Sequence, residues 1–256
     1  MPAAPVRVLI GKHLHSLYIS YLLDSDLAIF LTVGAGAVGC FYGSRLHQPS
    51  ERVLVSLVCR SNYGAIKEKG VQMRTRNYGE YVFRPEGVYR DVKEAAKGGE
   101  WDYVVVTTKA LPDVSDDSEV IVPVVGKRTT IVLIQNGVGV EEPYKRRFPD
   151  AAVLSAVTVV SAEQVEAGVV VQNRWTRVSI GPYESGEEGR RRTEEFVGLL
   201  KAGGVKDAEV YGERALQQVR WHKIAVRSCQ HNRLTLTEFV TDQREYEPIG
   251  GALEWN

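Results

Sequence analysis

The stretch AIFLTVGAGAVGCFYGSRL, residues 28–46, decides the fold of this chain. Its apolar beginning predicts a buried strand, and its end predicts a helix. Between them, Gly34, Gly36 and Gly39 form the pattern G-x-G-x-x-G. The pattern alone is weak, but a glycine turn between a strand and a helix is the setting in which it binds a dinucleotide.

Each glycine of this turn has a distinct predicted task. Gly34 permits the tight turn, Gly36 lets the backbone approach a pyrophosphate, and Gly39 lets the helix pack close to the strand. The helix then starts near Ala37 and Val38, where unpaired N–H groups and the helix dipole favour an anion. We therefore predict that the turn holds the phosphates of a dinucleotide, the alternative being a glycine-rich turn without a ligand.

Outside this stretch, short apolar runs alternate with amphipathic or polar segments, as in a parallel sheet with crossover helices. The predicted parallel strands are rich in Val, Ile and Leu and cover residues 27–33, 53–59, 103–107 and 130–134. A more antiparallel patch is predicted at 153–161, 168–172 and 177–180, with helices at 187–202 and from Glu213 onward. The sequence therefore predicts an α/β fold, a Rossmann-type and mostly parallel sheet with flanking helices.

Polar residues follow the second predicted strand and bear on the choice of cofactor. A site for NAD places an acidic residue about 20 residues beyond the glycines, whereas a cation there suits the 2′-phosphate of NADP. Here the strand ends in Arg60, Ser61 and Asn62. Arg60 suits a phosphate and its neighbours can donate further hydrogen bonds, so NADP is predicted. The alternative is an exposed arginine at a strand end.

Two more candidate residues, Lys109 and Asn136, follow the next two predicted strands. Polar residues at these positions fall at the carboxyl edge of the sheet, where open α/β folds bind ligands. Each has an ordinary alternative, a solvated lysine and a turn-forming asparagine.

Composition excludes several classes of protein. The chain has 256 residues, 44% of them hydrophobic, with Lys+Arg 32 and Asp+Glu 32, so its formal net charge is zero. This is the composition of a soluble globular protein, and it predicts neither a nucleic acid nor a membrane as partner. The longest apolar stretch, residues 14–33, is interrupted by Asp24 and Asp26 and predicts no membrane span.

Cysteine and histidine usage predicts no disulfide framework and no metal site. Cys40, Cys59 and Cys229 lie far apart without C-x-x-C spacing, and the histidines lack patterns such as H-E-x-x-H. A reducing compartment follows, and the cytoplasm is the expected location. Residues 1–23 carry Arg7 and no acidic residue, which leaves mitochondrial targeting as an alternative.

Several ordered motifs make the chain resemble the ketopantoate reductases (2-dehydropantoate 2-reductases). They are GAGAVGCFYGSRL at 34–46, CRSN at 59–62, DYVVVTTKA at 102–110, LIQNGVG at 133–139, SAVTVVSAEQ at 155–164 and WHKIAV at 221–226. The resemblance implies an NADP-binding Rossmann-type domain over residues 1–212. A truncated all-helical domain for substrate and dimerisation follows over 213–256, and it would form a homodimer if complete.

The resemblance also implies an activity. The family transfers a hydride from NADPH to the C2 ketone of 2-dehydropantoate, a small 2-oxoacid, and gives pantoate for pantothenate and coenzyme A biosynthesis. Lys223 matches the family lysine that hydrogen-bonds the ketone and protonates the forming alkoxide. Lys109 and Asn136 match family positions at the cofactor and the substrate.

The chain departs from the family pattern after the matched lysine. Arg227 and His231 stand where the family has asparagines. Arg227 is a candidate to bind the substrate carboxylate, although it is bulkier than an amide and always charged. The chain also ends before a late serine and glutamate of the family. Two alternatives therefore remain: a catalytically impaired NADP-binding Rossmann protein, or a reductase of another small 2-oxoacid.

A second departure lies near the start. Residues 6–10 look like the family's first strand, but 11–32 intervene before the glycine turn. We predict that 11–32 is an insertion, and two explanations stay open. One is an intervening sequence left in a gene model. The other is a real insertion, in which residues 27–33 serve as the first strand and residues 14–23 form an added helix.

Overall fold

The computed structural model describes residues 27–111 and 113–231, with the backbone alone for 227–231. The chain divides into two compact units, one ending at Arg220 and the other beginning at Trp221. The described strands are β1 (Ala28–Val33), β2 (Val53–Val58), β3 (Val71–Thr75), β4 (Gly79–Phe83), β5 (Val88–Tyr89), β6 (Tyr103–Val106), β7 (Thr130–Leu133), β8 (Val153–Glu166), β9 (Val169–Pro182) and β10 (Ala208–Val210). The described helices are α1 (Ala37–Leu46), α2 (Tyr63–Lys69), α3 (Val92–Ala95), α4 (Asp117–Val120), α5 (Glu142–Arg147), α6 (Glu187–Ala202) and α7 (Glu213–His231).

The strands form a single sheet with a doubly wound parallel half. Strands β5, β2, β1, β6, β7 and β8 lie side by side in that order, and each neighbouring pair is parallel. This is the Rossmann strand order, in which the chain reverses direction across the sheet between its first and fourth strands. The α/β fold predicted from the sequence is therefore confirmed.

The other half of the sheet is built on a long hairpin. Strand β9 runs antiparallel to β8, and β3 and β10 each pair with β9 in parallel. Strand β4 completes the edge, antiparallel to β3. The predicted strands at 168–172 and 177–180 are thus one continuous strand, with register irregularities in its pairing with β8.

The core lies on both faces of the parallel strands. All residues of β6 and β7 are buried, as their unbroken apolar sequences indicate. On one face the rings of Phe30 and Tyr103 stack with centroids 4.5 Å apart. Phe196 of α6 approaches both rings, at 6.2 Å and 5.7 Å, so α6 is fixed against the middle of the sheet.

Four strands were not predicted from the sequence: β3, β4, β5 and the three-residue β10. Strand β3 alternates buried and less buried residues, and most of β4 is exposed, so neither has a long apolar run. Strand β5 has only two residues. Their positions are set by pairing with longer strands rather than by their own sequences.

The predicted insertion and the C-terminal region are described only in part. Residues 28–32 of the predicted insertion belong to β1, and Leu27 directly precedes it, while 6–10 and 11–26 lie outside the described residues. The helix predicted from Glu213 onward is α7, which continues to His231. The predicted domain boundary at 212 stays a prediction. Among the described helices, none combines the length and the apolarity that a membrane crossing requires.

Replacing Phe196 with alanine is expected to lower the free energy of unfolding by about 3–5 kcal/mol, because the ring is fully buried. Urea denaturation followed by circular dichroism measures this change. Val114→Ala is the control, since Val114 is 78% exposed and its loss should change stability by about 0.5 kcal/mol or less. Equal losses for the two variants would contradict a core role for Phe196.

Candidate functional site

The glycine turn between β1 and α1 is held by backbone geometry that other residues do not tolerate. Gly34 has a φ of 107°, which L side chains rarely adopt. A Cβ at Gly39 would collide with the carbonyl oxygen of Gly34 and lie 2.6 Å from Thr107 Oγ1. Thr107 Oγ1 donates to the same Gly34 carbonyl at 2.6 Å, which ties the turn to the end of β6.

The start of α1 has the properties of a phosphate site. Gly36 is exposed, and a Cβ built on it would meet no described atom within 4 Å. The first turn of the helix, with Ala37, Val38 and Gly39, is uncharged, so its N–H groups and helix dipole present a positive end. A pyrophosphate group of a dinucleotide therefore fits here sterically and electrostatically.

The loop after β2 contains the residues predicted to select NADP. Arg60 and Ser61 are exposed, whereas Asn62 is buried. Asn62 Nδ2 donates to the Ala35 carbonyl at 2.6 Å and to Gln164 Oε1 at 3.4 Å. Asn62 therefore stabilises the glycine turn through its side chain, a role that the sequence did not indicate. Its contact with a cofactor stays a prediction.

Two further cationic side chains contact Tyr63, the residue that directly follows this loop. The Lys67 Nζ donates to the Tyr63 hydroxyl at 2.6 Å, and the Arg90 guanidinium lies 4.1 Å from the ring centroid. The Cys59 N–H donates to the Tyr89 carbonyl at 2.8 Å, so Arg60 and Arg90 leave adjacent parallel strands. The end of β2 therefore carries three cationic side chains, those of Arg60, Lys67 and Arg90, together with the Glu94 carboxylate, which accepts from the Arg90 backbone N–H at 2.6 Å.

The loops after β6 and β7 are joined through Gln135. This buried side chain donates from Nε2 to the Thr108 carbonyl at 3.1 Å and to Asp117 Oδ2 at 3.0 Å. Lys109 and Asn136, the neighbours of Thr108 and Gln135 in the chain, are both exposed. The structure therefore brings the two loops with these candidate residues together at the carboxyl edge.

A buried ion pair lies beneath the loop of Asn136. Arg220 and Glu141 are 3% and 1% exposed, and Arg220 Nη2 lies 2.9 Å from Glu141 Oε1. Arg220 Nη2 also donates to Ser155 Oγ, whose hydroxyl donates to Glu141 Oε1. Burial lowers the pKa of Arg220, and the Glu141 carboxylate opposes that effect. Ser155 begins the motif SAVTVVSAEQ, but no sequence pattern pairs it with Glu141 or Arg220.

The buried thiols do not belong to the chemistry of the site. Burial raises the pKa of Cys40 and of Cys59 to about 12, so both remain neutral near pH 7. Within the described residues, no group of histidine, cysteine or carboxylate side chains is arranged to hold a metal ion.

Two predicted residues belong to the second unit. Lys223 lies in α7 and is partly buried. Arg227 belongs to the same helix, but its side chain is outside the described part of the chain. Their roles toward a substrate stay predictions.

The strand order and the glycine turn define a Rossmann-type protein. Residues 30–185 match the family model "Ketopantoate reductase PanE/ApbA", and the chain belongs to this family of NAD(P)H-dependent oxidoreductases. The resemblance stated from the sequence motifs is thereby confirmed.

Known relatives match most of this chain but less of their own length. An uncharacterised protein of Saccharomyces cerevisiae, YDL144C, is 28% identical over 215 residues, 76% of this chain and 60% of the relative. A 2-dehydropantoate 2-reductase of Nostoc sp. is 25% identical over 61% of this chain and 47% of the relative. The crystal structure of 2-dehydropantoate 2-reductase from Methylococcus capsulatus aligns with a TM-score of 0.67 and 28% identity, covering 76% of this chain and 60% of that protein.

Alanine at Gly36 and alanine at Gly39 are expected to have different effects. Gly36→Ala should weaken NADPH binding at least tenfold and change the free energy of unfolding by about 0.5 kcal/mol or less, because its methyl group enters only the proposed phosphate space. Gly39→Ala should also lower stability, by about 1–3 kcal/mol, because of the clash with Gly34. Nucleotide fluorescence titration and urea denaturation measure the two quantities. Undiminished NADPH binding by Gly36→Ala would remove the turn from the cofactor site.

Proposed function

We propose that this protein binds NADPH and reduces the C2 ketone of 2-dehydropantoate, giving pantoate for pantothenate biosynthesis. The observation that carries the proposal is the open N-terminus of α1 at the carboxyl edge of the sheet, on the same edge as the exposed Lys109 and Asn136. Membership of the ketopantoate reductase family supports the same reaction.

The proposed cofactor site combines three parts of the sheet edge. The backbone from Gly34 to Gly39 takes the pyrophosphate, and Arg60 with Ser61 takes the ribose 2′-phosphate. The cations Lys67 and Arg90 close to Arg60 support NADP over NAD, because the 2′-phosphate adds negative charge at this point. Lys109 and Asn136 then face the nicotinamide end and the substrate.

The proposed chemistry needs a cation beside the ketone. When bound, the reduced nicotinamide supplies the hydride that adds to C2. The Lys223 ammonium hydrogen-bonds the ketone oxygen, stabilises the negative charge that develops there and donates the proton that completes the alcohol. Arg227 is the proposed partner of the substrate carboxylate.

The chain spans about half to 60% of the length of the curated relatives described above. In addition, Arg227 stands where the family has a neutral amide, which favours an NADP-binding protein without turnover, or a reductase of another small 2-oxoacid, as the alternative.

The decisive experiment is ketopantoate-dependent oxidation of NADPH by the purified chain, followed by absorbance. We expect turnover that requires ketopantoate and that falls about a hundredfold or more in Lys223→Ala, because a positioned proton donor contributes about 10²–10⁴-fold. NADPH affinity should be nearly unchanged in this variant. Lys206→Ala, which removes an exposed lysine, is the control and should keep full turnover. A folded protein that binds NADPH without turnover would support the alternative of a binding protein.

Arg60→Ala is expected to weaken NADPH binding about tenfold, the effect of losing one charge-assisted hydrogen bond, and to leave NADH binding unchanged. Titration of the variant with both nucleotides measures the discrimination. Arg84→Ala, an exposed arginine elsewhere on the surface, is the matched control. Unchanged preference between the two nucleotides would show that Arg60 does not contact the 2′-phosphate.

A further inference from the structure

Arg220 holds the backbone of the loop on which Asn136 lies. Its Nη1 donates to the Gly137 carbonyl at 2.8 Å and reaches the Gln135 carbonyl at 3.5 Å. These carbonyls belong to the residues on either side of Asn136. The contact with Gly137 is a strong one, because the donor is charged and both partners are largely shielded from water.

The second half of the Arg220 guanidinium fixes the arginine itself. Nη2 is occupied by Glu141 and Ser155, both buried, so the planar group has a single orientation. Ser155 lies in β8, at the register position opposite Leu133 of β7. The loop is therefore tied, through Arg220, to a central parallel strand of the sheet.

Further contacts restrict the backbone of the 135–139 loop. Gly137 has a φ of 130°, and a Cβ there would lie 2.8 Å from Val140 Cγ1. The Gln135 side chain is held by Thr108 and Asp117. The backbone is thus fixed before and after Asn136, while Asn136 itself is exposed at the sheet edge.

We propose that Arg220 is a positioning residue: its guanidinium fixes the 135–139 loop so that Asn136 meets the nicotinamide cofactor. This inference rests on the proposed function, which places Asn136 at the cofactor. Arg220 itself is buried and acts only through the loop. A buried ion pair contributes little net stability, so positioning accounts for this pair better than stabilisation does.

Arg220→Lys tests the proposal. Lysine keeps a positive charge beside Glu141, but its side chain is shorter and lacks the planar fork by which Arg220 reaches the Gly137 carbonyl through Nη1 and Glu141 through Nη2. We expect faster hydrogen–deuterium exchange in the peptide spanning residues 135–141 of the protein without ligand. We also expect NADPH affinity to fall about tenfold, because the binding-competent loop is less populated.

Arg45→Lys is the matched control. Arg45 Nε donates to the Gly203 carbonyl at 2.8 Å and joins the end of α1 to the end of α6. This substitution should lower stability without changing exchange in 135–141 or NADPH affinity. A merely structural role for Arg220 would make the two lysine variants behave alike.

A double variant, Arg220→Met with Glu141→Gln, covers the case in which Arg220→Lys does not fold. It leaves no unpaired buried charge but still lacks the donor to Gly137, so the same two effects are expected. Unchanged exchange, or faster exchange with unchanged NADPH affinity, would overturn the proposal. If the wild-type chain fails to bind NADPH, the proposed function and the assigned target of Asn136 fall together. The exchange comparison then decides separately whether Arg220 holds the loop.

Discussion

The close approach of α1 to the end of β1 is the constraint on which the candidate site depends. It requires hydrogen in place of a side chain at Gly39, because the Gly34 carbonyl and Thr107 occupy the space that a Cβ would need. This contact places the N-terminus of α1 directly over the carboxyl edge of the parallel strands. The phosphate site is therefore a consequence of how a helix packs on a sheet.

Polar side chains then join the loops of that edge to one another. Asn62 joins the loop after β2 to the glycine turn, Thr107 joins the turn to β6, and Gln135 joins the loops after β6 and β7. Each of these bonds is at least partly removed from water, where a polar group without a partner costs about 1–3 kcal/mol. The edge is consequently a set of mutually dependent loops, in which moving one loop leaves a donor or acceptor of the next unpaired.

The Arg220 network differs from these contacts because it uses full charges. When an Arg–Glu pair is buried, both groups lose their free energy of hydration. Only a geometry with several hydrogen bonds offsets that loss. Here Glu141, Ser155 and Gly137 supply such bonds to the two terminal nitrogens of Arg220, while its buried Nε has no hydrogen-bond partner among the described residues. The Arg220 network therefore selects one conformation of the 135–139 loop, and it adds little to the stability of the folded state as a whole.

The sequence by itself determined the strands β1, β2, β6 and β7, the glycine turn and the arginine after β2, because each is a local requirement. An apolar run indicates a strand that is buried on both faces of the sheet, and a glycine indicates a backbone conformation that other residues avoid. Only the tertiary structure decided that Asn62 turns inward, that β3, β4, β5 and β10 join the sheet, and that Arg220 pairs with a glutamate 79 residues earlier. Such contacts join single polar groups or short strands across long separations, so they leave no periodic pattern in the sequence to be read.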